Sequence, residues 1–319
     1  MRAITQEKYG LDSLVLSEIP TPKIGHQEIL VKVEAASVYA AVFHLITADI
    51  SLVRLGAGLR KPRMRPGQSF AGTVIEIGNQ VTDVKVGDRV CGTAPGAFAD
   101  LVVANTRRVA VLPNGVDLDE ASTIPVSAST ALQAVQKLGK VGAGQKVLVI
   151  GAAGCVGSFA VQIAVALGAT VTGVCRGAKK NYVRSMGVDQ IIDSETEAIT
   201  SHFDCIIDTS SFMSLAELRK LLVSGGRLVV VGAAGNPGSS GLGRMVAAAL
   251  LSIFVKENLR SSFNLTNDKE VLSVLLEYLK NRKITPVIVE KFPLKLSAKA
   301  VERFASGQAQ GHVLVAPSM

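Results

Sequence analysis

The sequence predicts an α/β protein built on a doubly wound parallel sheet, with a β-rich region ahead of it. Three observations carry this. A short apolar run, Lys146–Ile150, breaks at glycine and leads into a helical pattern over Ser158–Leu167 with Phe159, Ile163 and Leu167 four residues apart. From Gly139 onward the chain alternates strand, helix, strand, the pattern of a parallel sheet with right-handed crossovers. Ahead of it, residues 1–120 read as short strands separated by turn signals.

In the front region the expected strands are Ile29–Val33, Thr73–Ile77 and Phe98–Val103, and Val84–Val90 reads as a strand with a Gly-Asp turn. No helical period appears before Leu118–Leu138, where the acids of DLDEAST mark a helix start. The doubly wound part then offers strands at Lys146–Ile150, Thr170–Val174, Gln190–Ile192, Asp204–Ile207 and Arg227–Val231, with Arg260–Phe263 as a sixth. Its intervening helices are Ser158–Leu167, Lys179–Met186 and Ser214–Leu222. The tail reads as a helix at Asp268–Lys280, an extended Pro286–Lys291, a helix near Ala298–Phe304 and a last strand, His312–Ala316.

Composition narrows the class. Over 319 residues, 48% are hydrophobic and 19% charged, a globular balance rather than a disordered one. Cys91, Cys155, Cys175 and Cys205 include no C-x-x-C pair, which fits reduced thiols and a cytoplasmic setting. MRAITQEKYG has no apolar signal region, and Met245–Val255 is too short to span a bilayer, reading instead as a buried or interface helix. A net charge of +8 allows an acidic partner, but the absence of Trp and the four Tyr give no stacking platform for nucleic acid.

Between Ile150 and Ser158, Ala152, Gly154 and Gly157 occupy a G-x-G-x-x-G frame with Ala in first place and Gly151 before it. Gly154 clears space for a pyrophosphate, Gly157 lets helix and strand approach, and the helix N-terminus offers amides to phosphate. An NAD site usually carries an acid at the end of the second strand to hold the ribose 2′-hydroxyl. Here that strand ends Val174-Cys175-Arg176, with Lys179 and Tyr182 following. A guanidinium and an ammonium there favour a 2′-phosphate, hence NADPH, although a solvated basic helix face has the same composition.

Motifs along nearly the whole chain, among them VKVEAAS, AGTVIEIGNQVTDVKVGDRV, GAFADLVV, TALQAVQKLGKVGAGQKVLVIGAAGCVGSFAVQIA and GQAQGHVLV, resemble the medium-chain dehydrogenase/reductase superfamily and its zinc-free quinone oxidoreductase branch. The resemblance implies a Rossmann sheet at 126–266 and a GroES-like β-barrel catalytic domain at 1–125 with 267–319. It also implies NADPH-dependent reduction of a quinone, enone or other activated double bond of a small-molecule substrate, and a homodimer without nucleic-acid or membrane partners. Zinc members carry Cys and Gly-His-Glu where this chain has Ser37-Val38-Tyr39 and Gly67-Gln68-Ser69, and only Cys91 lies near the structural-zinc lobe, so no metal is expected. Arg176, Lys179 and Tyr182 match the family's S-x-x-K-x-x-Y with Arg replacing Ser.

The candidate cofactor set is Ala153, Gly154, Cys155, Val156, Gly157, Cys175, Arg176, Lys179 and Tyr182, joined through the resemblance by Thr130, Gly232, Ala233 and Phe263. The candidate catalytic residues are Tyr39 and Ser69. Close relatives carry Asn and Asp at the positions of Tyr39 and Val42, and Asp at Ser69, so the pocket is either refitted for another substrate or altered in activity. Tyr39 is either a hydrogen-bond donor to a carbonyl or a space filler, and His44 reads as structural. Arg54–Arg65, with five cations, is either a solvated loop or a funnel for an anion, and Asp208 either a turn residue or crevice wall. The altered positions also leave open a non-redox NADPH-binding sensor or a rearrangement catalyst.

Overall fold

The computed structural model describes residues 1–49, 54, 57–231, 258–261 and 268–319. They form two compact units, Met1–Val126 with Thr266–Met319 and Ser127–Leu265.

In the first unit β1 (Arg2–Gln6) and β2 (Leu14–Glu18) pair as an antiparallel ribbon. The larger sheet is organised on β3 (Glu28–Val38), whose eleven residues are mostly buried aliphatics. Along its length β3 meets β4 (Ser69–Ile77), β6 (Leu101–Asn105) and the C-terminal β15 (His312–Ala316), all antiparallel. β5 (Arg89–Thr93) joins β4 and β7 (Val109–Val111), while β14 (Ile288–Pro293) runs parallel to β15. Ile29, Val31, Phe70 and Phe98 are fully or almost fully buried in this unit. The last strand thus returns some three hundred residues later to complete a sheet begun at the front of the chain.

The second unit is a six-stranded parallel sheet of β8 (Lys146–Ile150), β9 (Thr170–Cys175), β10 (Gln190–Asp193), β11 (Phe203–Asp208), β12 (Leu222–Val230) and β13 (Asn258–Ser261). Their spatial order is β10-β9-β8-β11-β12-β13. Strands covered on both faces need near-continuous aliphatic runs, and Leu148, Ile150, Val174, Ile206, Leu228 and Val230 supply them in one core cluster. The helix Cys155–Ala166 buries Phe159, Val161 and Ile163 behind β8. The helix Leu215–Lys220 opens with a capping box, Ser214 accepting from Glu217 N–H while Glu217 reaches back to Ser214 N–H.

Several expected elements differ. A helix at Ala40–Thr47 precedes Leu118, where none was expected. Its eight residues, AAVFHLIT, are apolar almost all round, so no amphipathic stripe announces it. The expected helix at Leu118–Leu138 is interrupted by π-helical turns at Ile124–Ala128 and Gln133–Leu138. The first contains Pro125, whose ring and missing N–H disfavour a regular α-turn. The third front strand begins at Leu101 rather than Phe98, with only an isolated bridge from Ala99 to Ala3 before it. The stretch Met245–Val255 lies outside the described residues, and so does the end of the sixth expected strand.

Candidate active site

Strand order decides where a ligand crevice opens in a parallel sheet. The second unit winds outward from β8 through β9 to β10 on one side, and from β11 through β12 to β13 on the other. The switch point therefore lies between β8 and β11, whose ends align at Ile150 and Asp208. The glycine turn starts there. Gly151 takes φ +80°, and a Cβ on it would lie 2.5 Å from Thr209 Oγ1. Thr209 secures the same corner, its hydroxyl donating to Ile150 O at 2.8 Å.

The other two glycines have different tasks. A Cβ on Gly157 would sit 2.1 Å from Gly151 O, so the helix can start this close to its own turn only without a side chain there. A Cβ on Gly154 would meet nothing but Gly151 O at 3.3 Å, and Gly154 is exposed. The space above Gly154 is room of the kind a pyrophosphate needs. Gly154 is the N-cap of Cys155–Ala166, and Ser158 N–H is the amide that closes onto Gly154 O, at 2.9 Å. Backbone N–H groups of the first turn precede that closure, as helix geometry demands. Ala153, Cys155, Val156 and Gly157 all lie in this turn and first helical turn.

At the end of β9, Cys175 is buried and Arg176 turns outward, its side chain 66% exposed and Nε 4.0 Å from Glu195 Oε1. Lys179 follows in a short 3-10 turn and acts electrostatically on both Cys155 and Cys175, placing an ammonium near the helix start. Lys180, the next cation, is engaged with Glu197 at 2.7 Å and Asp193 at 3.5 Å. Tyr182 is buried and hydrogen-bonded to Ser158 of the helix, and burial pushes its phenol up to about 12. Thr130 is buried on the helix Ser129–Leu132, which packs against Cys155–Ala166. Gly232, Ala233 and Phe263 lie outside the described residues.

Sequence reasoning missed one acid. β10 pairs with β9 so that Asp193 stands beside Cys175. A carboxylate thus reaches the end of the second strand from its neighbour. Its oxygens are committed: the N–H of Glu195 donates to Oδ1 at 3.1 Å, and Gly177 and Lys180 add further bonds that hold Asp193 below the usual carboxylate range. The parallel register, invisible in the linear pattern, brings it there. Asp208 resolves as a turn residue, fully buried and accepting from Ser211 N–H at 3.0 Å and Ser210 N–H at 3.2 Å.

In the first unit the two candidate catalytic hydroxyls are spent on the protein itself. Tyr39, 4% exposed, is the N-cap residue of Ala40–Thr47, and its hydroxyl donates to Gln68 Oε1 at 2.9 Å. Burial raises its phenol far above the ordinary tyrosine range. Ser69, 1% exposed, donates to the carbonyl of Ser122 at 2.7 Å, tying β4 to the helix Leu118–Thr123. Ser69, the other candidate catalytic residue, thus has its hydroxyl engaged in a buried bond to the backbone. His44 pairs with Asp49 at 2.9 Å, and the Arg54 guanidinium lies over the Tyr9 ring. Cys91 is buried, which pushes its thiol up to about 12, and no group of three or more His, Cys, Asp or Glu is placed for a metal ion among the described residues.

Two family models match. Residues 25–114 match an alcohol dehydrogenase GroES-like domain, and residues 155–281 match a zinc-binding dehydrogenase domain. A chloroplastic quinone-oxidoreductase QR1 from Triphysaria versicolor is 28% identical, with 99% of this chain and 98% of that protein covered. A chloroplastic NADPH-dependent alkenal/one oxidoreductase from Arabidopsis thaliana is 27% identical, covering 99% of this chain and 80% of that protein. The solved quinone oxidoreductase from Coxiella burnetii superimposes with a TM-score of 0.84 at 25% identity, with 99% of both chains covered.

Proposed function

The chain belongs to the medium-chain dehydrogenase/reductase superfamily, in its quinone oxidoreductase-like branch, and from that premise we propose that it is a zinc-independent NADPH-dependent reductase of a quinone, enone or similarly activated double bond. The coarser statement, an oxidoreductase working with a nicotinamide cofactor, is the family's own. The observation that carries the finer reading is the pairing of an open glycine cradle at the switch point with Arg176 and Lys179 at the end of the second strand.

When bound, NADPH supplies a hydride to the electron-poor carbon of the acceptor. The residues that would hold it are Gly154, whose missing side chain admits the pyrophosphate, the amides that open the helix Cys155–Ala166, and Arg176 with Lys179 toward the 2′-phosphate. Asp193 does not oppose this choice, because its carboxylate already accepts from Glu195 N–H and faces Lys180. The conjugated oxygen of the acceptor takes up negative charge and then a proton from solvent, so the protein's task is orientation and stabilisation of that oxygen. Ser37-Val38-Tyr39 and Gly67-Gln68-Ser69, where zinc members of the family carry their Cys and Gly-His-Glu, support a reaction without metal polarisation. The same reading keeps a small-molecule substrate, a homodimer and a cytoplasmic setting as expectations.

Titration with both cofactors tests it. NADPH binds at least about tenfold tighter than NADH if Arg176 and Lys179 each pair with the phosphate, and Arg176→Ala narrows that ratio. Equal affinities of the unaltered protein for the two cofactors would remove the NADPH assignment.

A further inference from the structure

We infer that Asp193 is a positioning residue for the cofactor's 2′-phosphate: from the neighbouring strand it pins the turn that carries Arg176 and Lys179. This rests on the NADPH reading above, and every group involved lies in the second unit. The turn Gly177–Lys179 closes by Lys179 N–H on Arg176 O at 2.9 Å, and Arg176, its N-cap residue, supplies no side-chain cap. A single 3-10 turn of three residues has little of its own to hold it in one place.

The missing cap comes from β10. Asp193 is the last residue of that strand, 7% exposed, and stands in register with Cys175, the last residue of β9. Its carboxylate accepts from Gly177 N–H, the first amide of the turn. The fit there is close, because a Cβ on Gly177 would lie 2.4 Å from Asp193 Oδ2. Oδ1 takes Glu195 N–H at 3.1 Å, and Ser194 N–H donates to Cys175 O at 2.9 Å, so the chain leaving β10 is tied to the same corner. Lys180 stands 3.5 Å from Oδ2 and is itself held by Glu197 at 2.7 Å. An acid at this end of the sheet would by charge alone repel a 2′-phosphate. The geometry turns it to the opposite use. Bonds from a carboxylate to backbone amides are among the stronger ones, and here they fix the backbone from which two cations extend. Arg176 leaves one end of the turn with its side chain 66% exposed, and Lys179 leaves the other. With both origins held before the cofactor arrives, its phosphate has only side-chain rotamers left to order.

The test is titration of the full chain with NADPH and with NADH, alongside melting temperatures. Asp193→Asn keeps the shape but puts an amide donor where an oxygen accepted, so one of its partners is lost. NADPH affinity falls by about tenfold while NADH affinity stays within about threefold. The sign is diagnostic: if the carboxylate acted by charge alone, removing it would tighten NADPH binding. On a background lacking both cations, Arg176→Ala with Lys179→Ala, Asp193→Asn changes NADPH affinity by less than about threefold, since the groups it positions are gone. Gly177→Ala, whose Cβ displaces the carboxylate, repeats the measurement if the asparagine variant melts too low to titrate. A folded variant of either kind that binds NADPH as tightly as the unaltered protein, or more tightly, overturns the inference. So does an equal loss for both cofactors, or a loss undiminished on the cation-free background. Equal affinities of the unaltered protein for NADPH and NADH overturn the NADPH reading itself.

Discussion

The glycine turn of the second unit and the Tyr39–Ser69 region of the first are built by opposite means. In the turn, room is made by atoms that are missing. Gly157 lets a helix begin where a Cβ would be 2.1 Å from a carbonyl, and Gly154 leaves the adjoining space open. In the first unit polar groups are used up within the protein, the Tyr39 hydroxyl on Gln68 Oε1 and the Ser69 hydroxyl on the backbone carbonyl of Ser122. The first kind of site depends on backbone sterics over seven consecutive residues. The second depends on partners far apart in the chain.

The largest effect that could break this comparison falls on the glycines. Gly157→Ala forces the helix away from its turn and costs about 3 kcal/mol of stability, at the upper end of overpacking changes. Gly154→Ala meets one atom, Gly151 O, at a tight 3.3 Å that a shift of a few tenths of an ångström relieves, so its stability cost stays at about 1 kcal/mol while cofactor affinity drops at least about tenfold. Urea midpoints and NADPH titrations on both variants check this. Similar stability losses from the two substitutions would show that neither glycine is reserved for a ligand.

The next effect concerns a titratable group buried in the first unit. His312, at the start of β15, is fully buried, and burial lowers its pKa to about 4. The unfolded chain takes up that proton near pH 6.5, the folded chain only near 4, so the unfolded state binds more protons between these values. Stability therefore falls as the pH drops from about 6.5 toward 4, by on the order of 3 kcal/mol from this group. His312→Gln flattens that part of the stability profile, measured by denaturant midpoints across pH. An unchanged slope would assign the acid sensitivity to other groups.

The smallest effect separates structure from catalysis. Ser69→Ala removes the bond to Ser122 O and costs about 1 kcal/mol, with kcat changed by less than about threefold. A Ser69→Ala protein that keeps its stability but loses turnover would place Ser69 in the reaction.

These outcomes follow a division already visible in the residues. By itself the sequence determined the parallel strand Lys146–Ile150, the glycine turn after it and the cations at the end of the second strand. Each depends on neighbours only a few positions away, and aliphatic runs and missing Cβ atoms leave a direct mark on composition. The capped helix at Leu215–Lys220 was legible for the same reason, Ser214 and Glu217 being three residues apart. Only the tertiary structure decided the rest. The helix Ala40–Thr47 has no polar face to give it a period, and packing makes it. Asp193 reaches the second strand through a register between β9 and β10. Tyr39 and Gln68 are 29 residues apart, Ser69 and Ser122 are 53 apart, and a hydroxyl's role changes from donor-in-waiting to structural tie according to which carbonyl the fold brings within about 3 Å of it. Hydrogen-bond partners are chosen by the folded backbone, and one sequence read in line carries no record of that choice.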